Sequence, residues 1–310
     1  MVALPLTRDI ARPARPGNFP SARPCVLALL LGLVLGWMRP VQALERVPLP
    51  ASEIPWSALG RVNAGGTSYC TGVLVGPSTM LTASHCLYNF STKTWRPPSD
   101  IHFVAGYLKN GWVAAARARR IVRDPNAVPD GKHPPVGLVT LDWAVVELDS
   151  PIGETAGWFP VERRRIDVLE TLILQAGYRR DRPFAPEMSP PCRVVETPAK
   201  PPLILHDCIV PEGGSGSPLF VVENHRLLVA GIHSAQVRRT TRDEKQPPRI
   251  LAAVVPLWRF ADHVPRSAEP QSGSAEAARR ALAAQAGDLN LSPDLSIGDL
   301  MKILYRNRVH

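Results

Sequence analysis

Three short segments carry residue types that can do nucleophilic chemistry together. Leu81-Thr82-Ala83-Ser84-His85-Cys86 ends on a histidine fixed beside a cysteine. Leu141-Asp142-Trp143-Ala144-Val145-Val146 puts an aspartate at the head of an apolar run, and Gly213-Gly214-Ser215-Gly216-Ser217-Pro218 puts a serine in a glycine-rich turn. A serine hydroxyl is a weak nucleophile near neutral pH and needs a base within hydrogen-bond reach. Histidine titrates close to neutrality, so His85 can take the proton and return it to a leaving group. A carboxylate such as Asp142 would fix the imidazole tautomer and stabilise the imidazolium. An attacked carbonyl becomes an oxyanion, which needs preorganised donors. Glycines let backbone N–H groups converge without Cβ interference, which makes Gly213 and Ser215 the expected oxyanion donors. Each segment alone reads as structural: a strand-end His, a turn Asp, a loop. Their order and combination carry the chemistry.

The surrounding sequence must position these groups. Short β-prone runs at 71–75, 80–83, 101–105, 139–141, 144–148, 172–176, 194–196, 203–205, 219–222, 227–232 and 250–255 alternate with Gly and Pro turns. The pairs 71–75/80–83 and 219–222/227–232 read as hairpins. No regular helical pattern separates the runs, which argues for an all-β barrel or sandwich and against a parallel α/β sheet. After residue 255 the character changes: a short helix over 256–264, a Pro/Ser/Gly linker over 265–274, an Ala-rich helix over 275–286, and an amphipathic helix over 297–306 that Ser296 can cap. This tail either docks on the barrel or stays mobile, and its partner and role are unassigned.

The net charge is +9, of which residues 1–43 supply +4 from five Arg and one Asp. The basic clusters at Arg117, Arg119 and Arg120, at Arg163 to Arg165, and at Arg238, Arg239 and Arg242 read as solvated faces. No nucleic-acid motif accompanies them, so a nucleic-acid partner is not expected. Residues 1–43 read as an export signal: a basic start, an apolar run over 25–36, and Val41-Gln42-Ala43 as the cleavage site. Arg39 and Pro40 cut the run short of a spanning helix; an uncleaved anchor is the other reading. The expected location is secreted or periplasmic, with no stable membrane insertion after signal removal. Beyond Cys25, the cysteines are Cys70, Cys86, Cys192 and Cys208. Three pairings are open, and an oxidising compartment favours disulfides. Local pairing would close two loops of equal offset. No zinc-type spacing is present, so neither a metal nor a cofactor is expected.

The sequence resembles the trypsin-like, chymotrypsin-fold serine peptidases, and looks closest to the bacterial branch that includes glutamyl endopeptidases. Cys70-Thr71-Gly72 with the His85 segment matches the family's histidine motif, including its disulfide to Cys86. Asp142 to Leu148 matches its aspartate motif, and Gly213 to Pro218 its bacterial Gly-x-Ser-Gly-Ser-Pro motif. The resemblance covers roughly residues 60–263. It implies two perpendicular six-stranded antiparallel β-barrels with the triad His85, Asp142 and Ser215 in the cleft between them. The domain reading is therefore a signal peptide over 1–43, a lead-in over 44–60, a peptidase domain over 61–264, and a linker with helical tail over 265–310. The implied activity is hydrolysis of polypeptides through a Ser215 acyl-enzyme. The alternative is a catalytically silent peptide-binding protein on the same scaffold.

Two departures matter. In animal trypsins an Asp precedes the nucleophile and binds the N-terminus freed by zymogen cleavage; here that residue is Gly214, and no Ile-Val-Gly-Gly start appears. That activation switch is therefore not expected. A basic-specific pocket carries an Asp six residues before the nucleophile; here the residue is Ile209, with Asp207 out of register by two. In glutamyl endopeptidases a His matching His233 contacts the substrate's acidic side chain, through a cationic or hydrogen-bonding imidazole. The plainer reading is a strand histidine satisfied by its neighbours. Residues Ser234 to Gln236 would offer strand-edge backbone to an extended substrate, and the resemblance gives Ser234 a hydrogen bond to Asp142.

Overall fold

The computed structural model describes residues 46–66, 69–129, 136–166, 171–224, 226–239, 248–266, 274–286, 292 and 295–309. The export signal read over 1–43 lies outside them. After a two-residue edge strand, β1 (Val47–Pro48), the first six-stranded barrel comprises β2 (Leu59–Ala64), β3 (Tyr69–Gly76), β4 (Thr79–Thr82), β7 (Ile101–Ala105), β8 (Ala114–Arg123) and β9 (Ala144–Leu148). It closes in the order β2-β3-β4-β9-β8-β7, every pairing antiparallel. A small hairpin of β5 (Tyr88–Asn89) and β6 (Thr94–Trp95) stands apart from it.

The second barrel uses β10 (Leu172–Arg179), β12 (Cys192–Glu196), β13 (Ile204–His206), β14 (Pro218–Glu223), β15 (Arg226–Arg239) and β16 (Arg249–Pro256). It closes through β10 against β14, with Leu174 opposite Phe220. A further strand, β11 (Arg182–Met188), folds back on β10 and carries β1 on its other side. The fold is the chymotrypsin-like pair of barrels. Apolar side chains of both barrels join one core that includes Leu59, Phe103, Val146, Phe159, Phe220 and Val255. Burial of this kind is the main driving force of the fold, about 25 cal/mol per Å² of apolar surface.

Local chemistry explains where strand propensity and structure part. β8 reads Ala-Ala-Ala-Arg-Ala-Arg-Arg, poor strand formers, yet Ala116 and Ala118 point into the barrel. Its register against β7 and β9 imposes the strand. The run 139–141, by contrast, is not a strand: Val139 ends a helical turn, α1 (Val136–Val139), whose bonding continues through Leu141 N–H to Leu138 O and Asp142 N–H to Val139 O.

The short helix expected over 256–264 is instead two 3₁₀ turns, 257–259 and 261–263. Beyond α2 (Gly153–Ala156), the tail forms α3 (Ser274–Ala286) and α4 (Ile297–Val309). Of its two readings, docking is the one found. Leu282, Leu300, Met301 and Leu304 are buried in the shared core, and Gln285 Nε2 donates to Ser189 O at 2.9 Å. Ser296 caps α4: its hydroxyl accepts the Asp299 N–H at 3.1 Å and donates to the Asp299 carboxylate at 2.7 Å. No helix among the described residues is long and apolar enough to cross a membrane. Of the basic clusters, Arg163 is not a free solvated charge: its guanidinium donates to the carbonyls of Ala261 and Val264. Arg242 lies outside the described residues.

Candidate active site

His85 lies in a 3₁₀ turn, Ser84–Leu87, that begins two residues after β4 ends. The next residue, Cys86, is bonded to Cys70 on β3, with Cα atoms 6.0 Å apart. The imidazole is thereby tied to the barrel wall by a covalent link one residue away. Cys192 and Cys208 form the second disulfide. A histidine neighbours each pair, His85 and His206 respectively. Sulfur in a disulfide is not the thiolate that a zinc site uses.

Asp142 is placed by the turn that follows α1 and by its neighbour. The Trp143 ring stacks on Phe260, with centroids 4.9 Å apart and planes within 4°, and also on His263. This seats the aspartate between the first barrel and the 3₁₀ turns that follow the second. Its carboxylate is saturated with donors. Oδ1 accepts the His85 backbone N–H at 2.8 Å and the Ser84 hydroxyl at 2.9 Å. Oδ2 lies 2.7 Å from His85 Nδ1 and accepts the Ser234 hydroxyl at 2.5 Å. Ser234 reaches it because the register between β15 and β16 slips between His233 and Ala235. The extra residue of this bulge turns toward the other barrel.

These contacts set the electrostatics. Burial pushes the Asp142 carboxyl up, but the His85 charge, its ring and backbone hydrogen bonds and that of Ser234 outweigh it, and the pKa is lowered to about 2. Burial pushes the His85 imidazole down, yet the adjoining carboxylate prevails and its pKa lies above the ordinary histidine value. The fixed carboxylate selects the tautomer with the proton on Nδ1, which leaves Nε2 as the acceptor.

Ser215 sits in the turn 211–217, which packs on the first barrel. The Thr71 N–H donates to Ser215 O, and the Gly216 N–H donates to His233 O, both at 2.9 Å. Gly216 has φ +79°, and a Cβ there would lie 2.2 Å from Thr71 O and 3.1 Å from Ala83 N. Only glycine lets the serine turn come this close to the strand end that carries His85. The Ser215 hydroxyl makes no hydrogen bond to His85 among the described residues; such bonds commonly tighten only when substrate is present.

Residues 211–214 form a turn closed by the Gly214 N–H on Pro211 O at 3.1 Å, with Gly213 at φ +92°. The Glu212 carbonyl is held by the Arg180 N–H at 2.7 Å. A trans peptide directs its N–H opposite to its C=O, so the Gly213 N–H points away from Arg180. A Cβ on Gly213 would strike Arg180 N at 2.6 Å.

The pocket residues divide. His233 is buried, its Nδ1 has no partner, and its pKa is lowered to about 3 by burial and then by the His85 charge. The resting imidazole is therefore neutral, not cationic. It is not the fully satisfied strand histidine of the plainer reading either. Gln236 donates from Nε2 to Val210 O at 2.8 Å, tying β15 to the irregular segment that follows β13. Ile209 is 73% exposed, while Asp207 accepts the Arg193 N–H at 2.7 Å. The sequence reading missed His206. Its ring meets His233 edge-on at 6.5 Å, it is fully buried, and its Nε2 is also unpartnered. The one available signal was a histidine inside an apolar strand two residues before Cys208.

Two barrels with a carboxylate–imidazole pair on one and a glycine-framed serine turn on the other define a chymotrypsin-fold hydrolase scaffold. The trypsin family model matches residues 45–198. A curated glutamyl endopeptidase from Bacillus licheniformis is 26% identical over 180 residues, which are 57% of this chain and 52% of that protein. The chain thus spans about half the length of this relative. A solved structure of a Glu endopeptidase in complex with MPD superposes with a TM-score of 0.52 at 21% identity, over 68% of this chain and 89% of that one, and speaks to the fold. The chain belongs to the trypsin-like serine peptidases and is related to their glutamyl endopeptidase branch.

Proposed function

We propose that the chain is an exported serine endopeptidase that cleaves polypeptides after acidic residues, with His85, Asp142 and Ser215 as its triad. The observation that carries this reading is the Asp142 carboxylate, held ionised by four donors, two of them from His85. In the mechanism that follows, His85 Nε2 takes the Ser215 proton as Oγ attacks the scissile carbonyl. The Gly213 and Ser215 N–H groups receive the oxyanion; removal of one such donor typically costs about 10²–10³ in kcat. The imidazolium protonates the leaving amine, and water then hydrolyses the acyl-enzyme by the reverse relay.

The specificity reading rests on His233 and on the branch to which the relative belongs. A neutral buried imidazole can offer one N–H to a carboxylate, and an arriving anion raises its pKa. Ile209 at the position of the trypsin-pattern aspartate supplies no counter-charge for Arg or Lys. Location outside the reducing cytoplasm is supported by the two disulfides. The test pairs an organophosphonate with a peptide library. Labelling of Ser215 with loss of casein cleavage is expected, as is cleavage after Glu. Failure of the folded, oxidised protein to label would sink the enzymatic reading, and cleavage after Arg or large apolar residues would sink the acidic one.

A further inference from the structure

The serine turn lacks the usual brace of its fold, because the residue before the nucleophile is Gly214 and offers no carboxylate. Yet the turn is not left unsupported. The Ser217 hydroxyl donates to Gly214 O, and the Ser217 N–H donates to the same carbonyl at 3.0 Å. Ser217 Oγ in turn accepts Gln175 Nε2 at 2.5 Å. Gln175 is 1% exposed, and its Oε1 accepts Arg46 Nη2 at 2.9 Å. The same guanidinium donates from Nη1 to Ile209 O at 3.0 Å, on the segment six residues before the nucleophile. It lies beside the buried Glu187, which also pairs with Arg179 at 2.9 Å and Arg182 at 2.6 Å. Ser217, Gln175 and Arg46 each hydrogen-bond a neighbour on either side, while Arg46 Nε has no hydrogen bond and lies 3.7 Å from the Glu187 carboxylate. A buried polar network of that kind holds one geometry, because each broken link strands a desolvated group.

We infer that Arg46 is a positioning residue that braces the serine turn and the 209–210 pocket wall from behind, in place of the carboxylate absent at Gly214. The proposal rests on the serine peptidase reading for its catalytic consequence, although the bracing itself does not. A guanidinium suits the task, since its planar fork reaches the Ile209 carbonyl and the Gln175 amide at once; a lysine ammonium would serve one of them. Arg46 immediately precedes β1, whose residues Val47 and Pro48 pair with Met188 and Glu187 of β11. The side chain is therefore delivered by an ordered edge strand.

The test compares the mature full-length chain with Arg46→Met, Arg46→Lys and Gln175→Met. Arg46→Met should fold, because Glu187 keeps two other arginines. Two readouts are taken per folded molecule: the rate of Ser215 labelling by an organophosphonate, and hydrogen exchange in peptides spanning 209–217. Arg46→Met and Gln175→Met should each slow labelling at least tenfold and speed exchange at least tenfold, with Arg46→Lys in between. The double variant should be no slower than the slower single one. A role in stability alone would lower the melting temperature and leave both readouts unmoved. Labelling and exchange within twofold of wild type in either folded variant would overturn the proposal. Should Arg46→Met not fold, Gln175→Met decides alone. Faster exchange in the variants of a protein that never labels would retain the brace and reject the peptidase reading.

Discussion

The two barrels contribute opposite kinds of surface to the cleft. The first supplies a closed system: each oxygen of Asp142 has two donors, and His85 is tied through Cys86 to the barrel wall. The second supplies an open one: buried His233 Nδ1 and His206 Nε2 have no partner, and the serine turn aims the Gly213 N–H away from its tether. Buried polar groups are normally satisfied, so unpaired ones mark where a ligand or water completes the structure. The proposed base is thus preorganised by the protein, whereas the side that would hold the substrate is left for a ligand to finish.

The contrast can be broken by substitution. The largest effect is expected from the nucleophile: Ser215→Ala should lower kcat by about 10⁴–10⁶ in a casein assay with the fold unchanged by circular dichroism. Asp142→Asn keeps the shape of the closed half but selects the wrong tautomer, and should cost about 10⁴ in kcat. In the open half, His233→Ala should reduce kcat/KM for Glu substrates by about 10² while leaving phosphonate labelling of Ser215 within a few fold. A His233 variant that retained its Glu preference would move specificity elsewhere.

Two pH dependences sharpen the comparison further. The base must be neutral, and its pKa is raised, so the acid limb of kcat/KM should lie above about 6.5, the ordinary histidine value. The smallest effect concerns stability. Both pocket imidazoles have lowered pKa values, His233 to about 3. As pH falls below about 6.5 the unfolded chain takes up protons first, so folded stability should decline from there toward pH 3. A His206→Gln variant should flatten that decline in thermal melts.

Much of the proposed site could be read from the sequence because its residue types are chemically committed. A glycine-framed serine, a histidine next to a half-cystine and an aspartate heading an apolar strand each have few alternatives. The fold class was legible from the short runs and turns, which the two barrels of β-strands match. What escaped was set by tertiary context. β8 opens with Ala and Arg, so its strand character comes from its neighbours; the run 139–141 is β-prone but continues a helical turn closed by the Leu141 and Asp142 N–H groups on Leu138 O and Val139 O. Arg46 is 129 residues from Gln175 and 141 from Glu187, and no local pattern announces that they meet. His206 looked like one more strand residue until the fold set its ring against His233.

The strand β11 is where two segments far apart in the sequence converge: Val47 pairs with Met188, and Gln285 bonds the carbonyls of Met188 and Ser189. Contacts between residues so distant in sequence form late, since loop-closure entropy has to be overcome first. A polypeptide emerging amino end first cannot complete this junction until α3 has followed. Closure of the back of the second barrel therefore waits on the arrival of α3, a delay written into the topology.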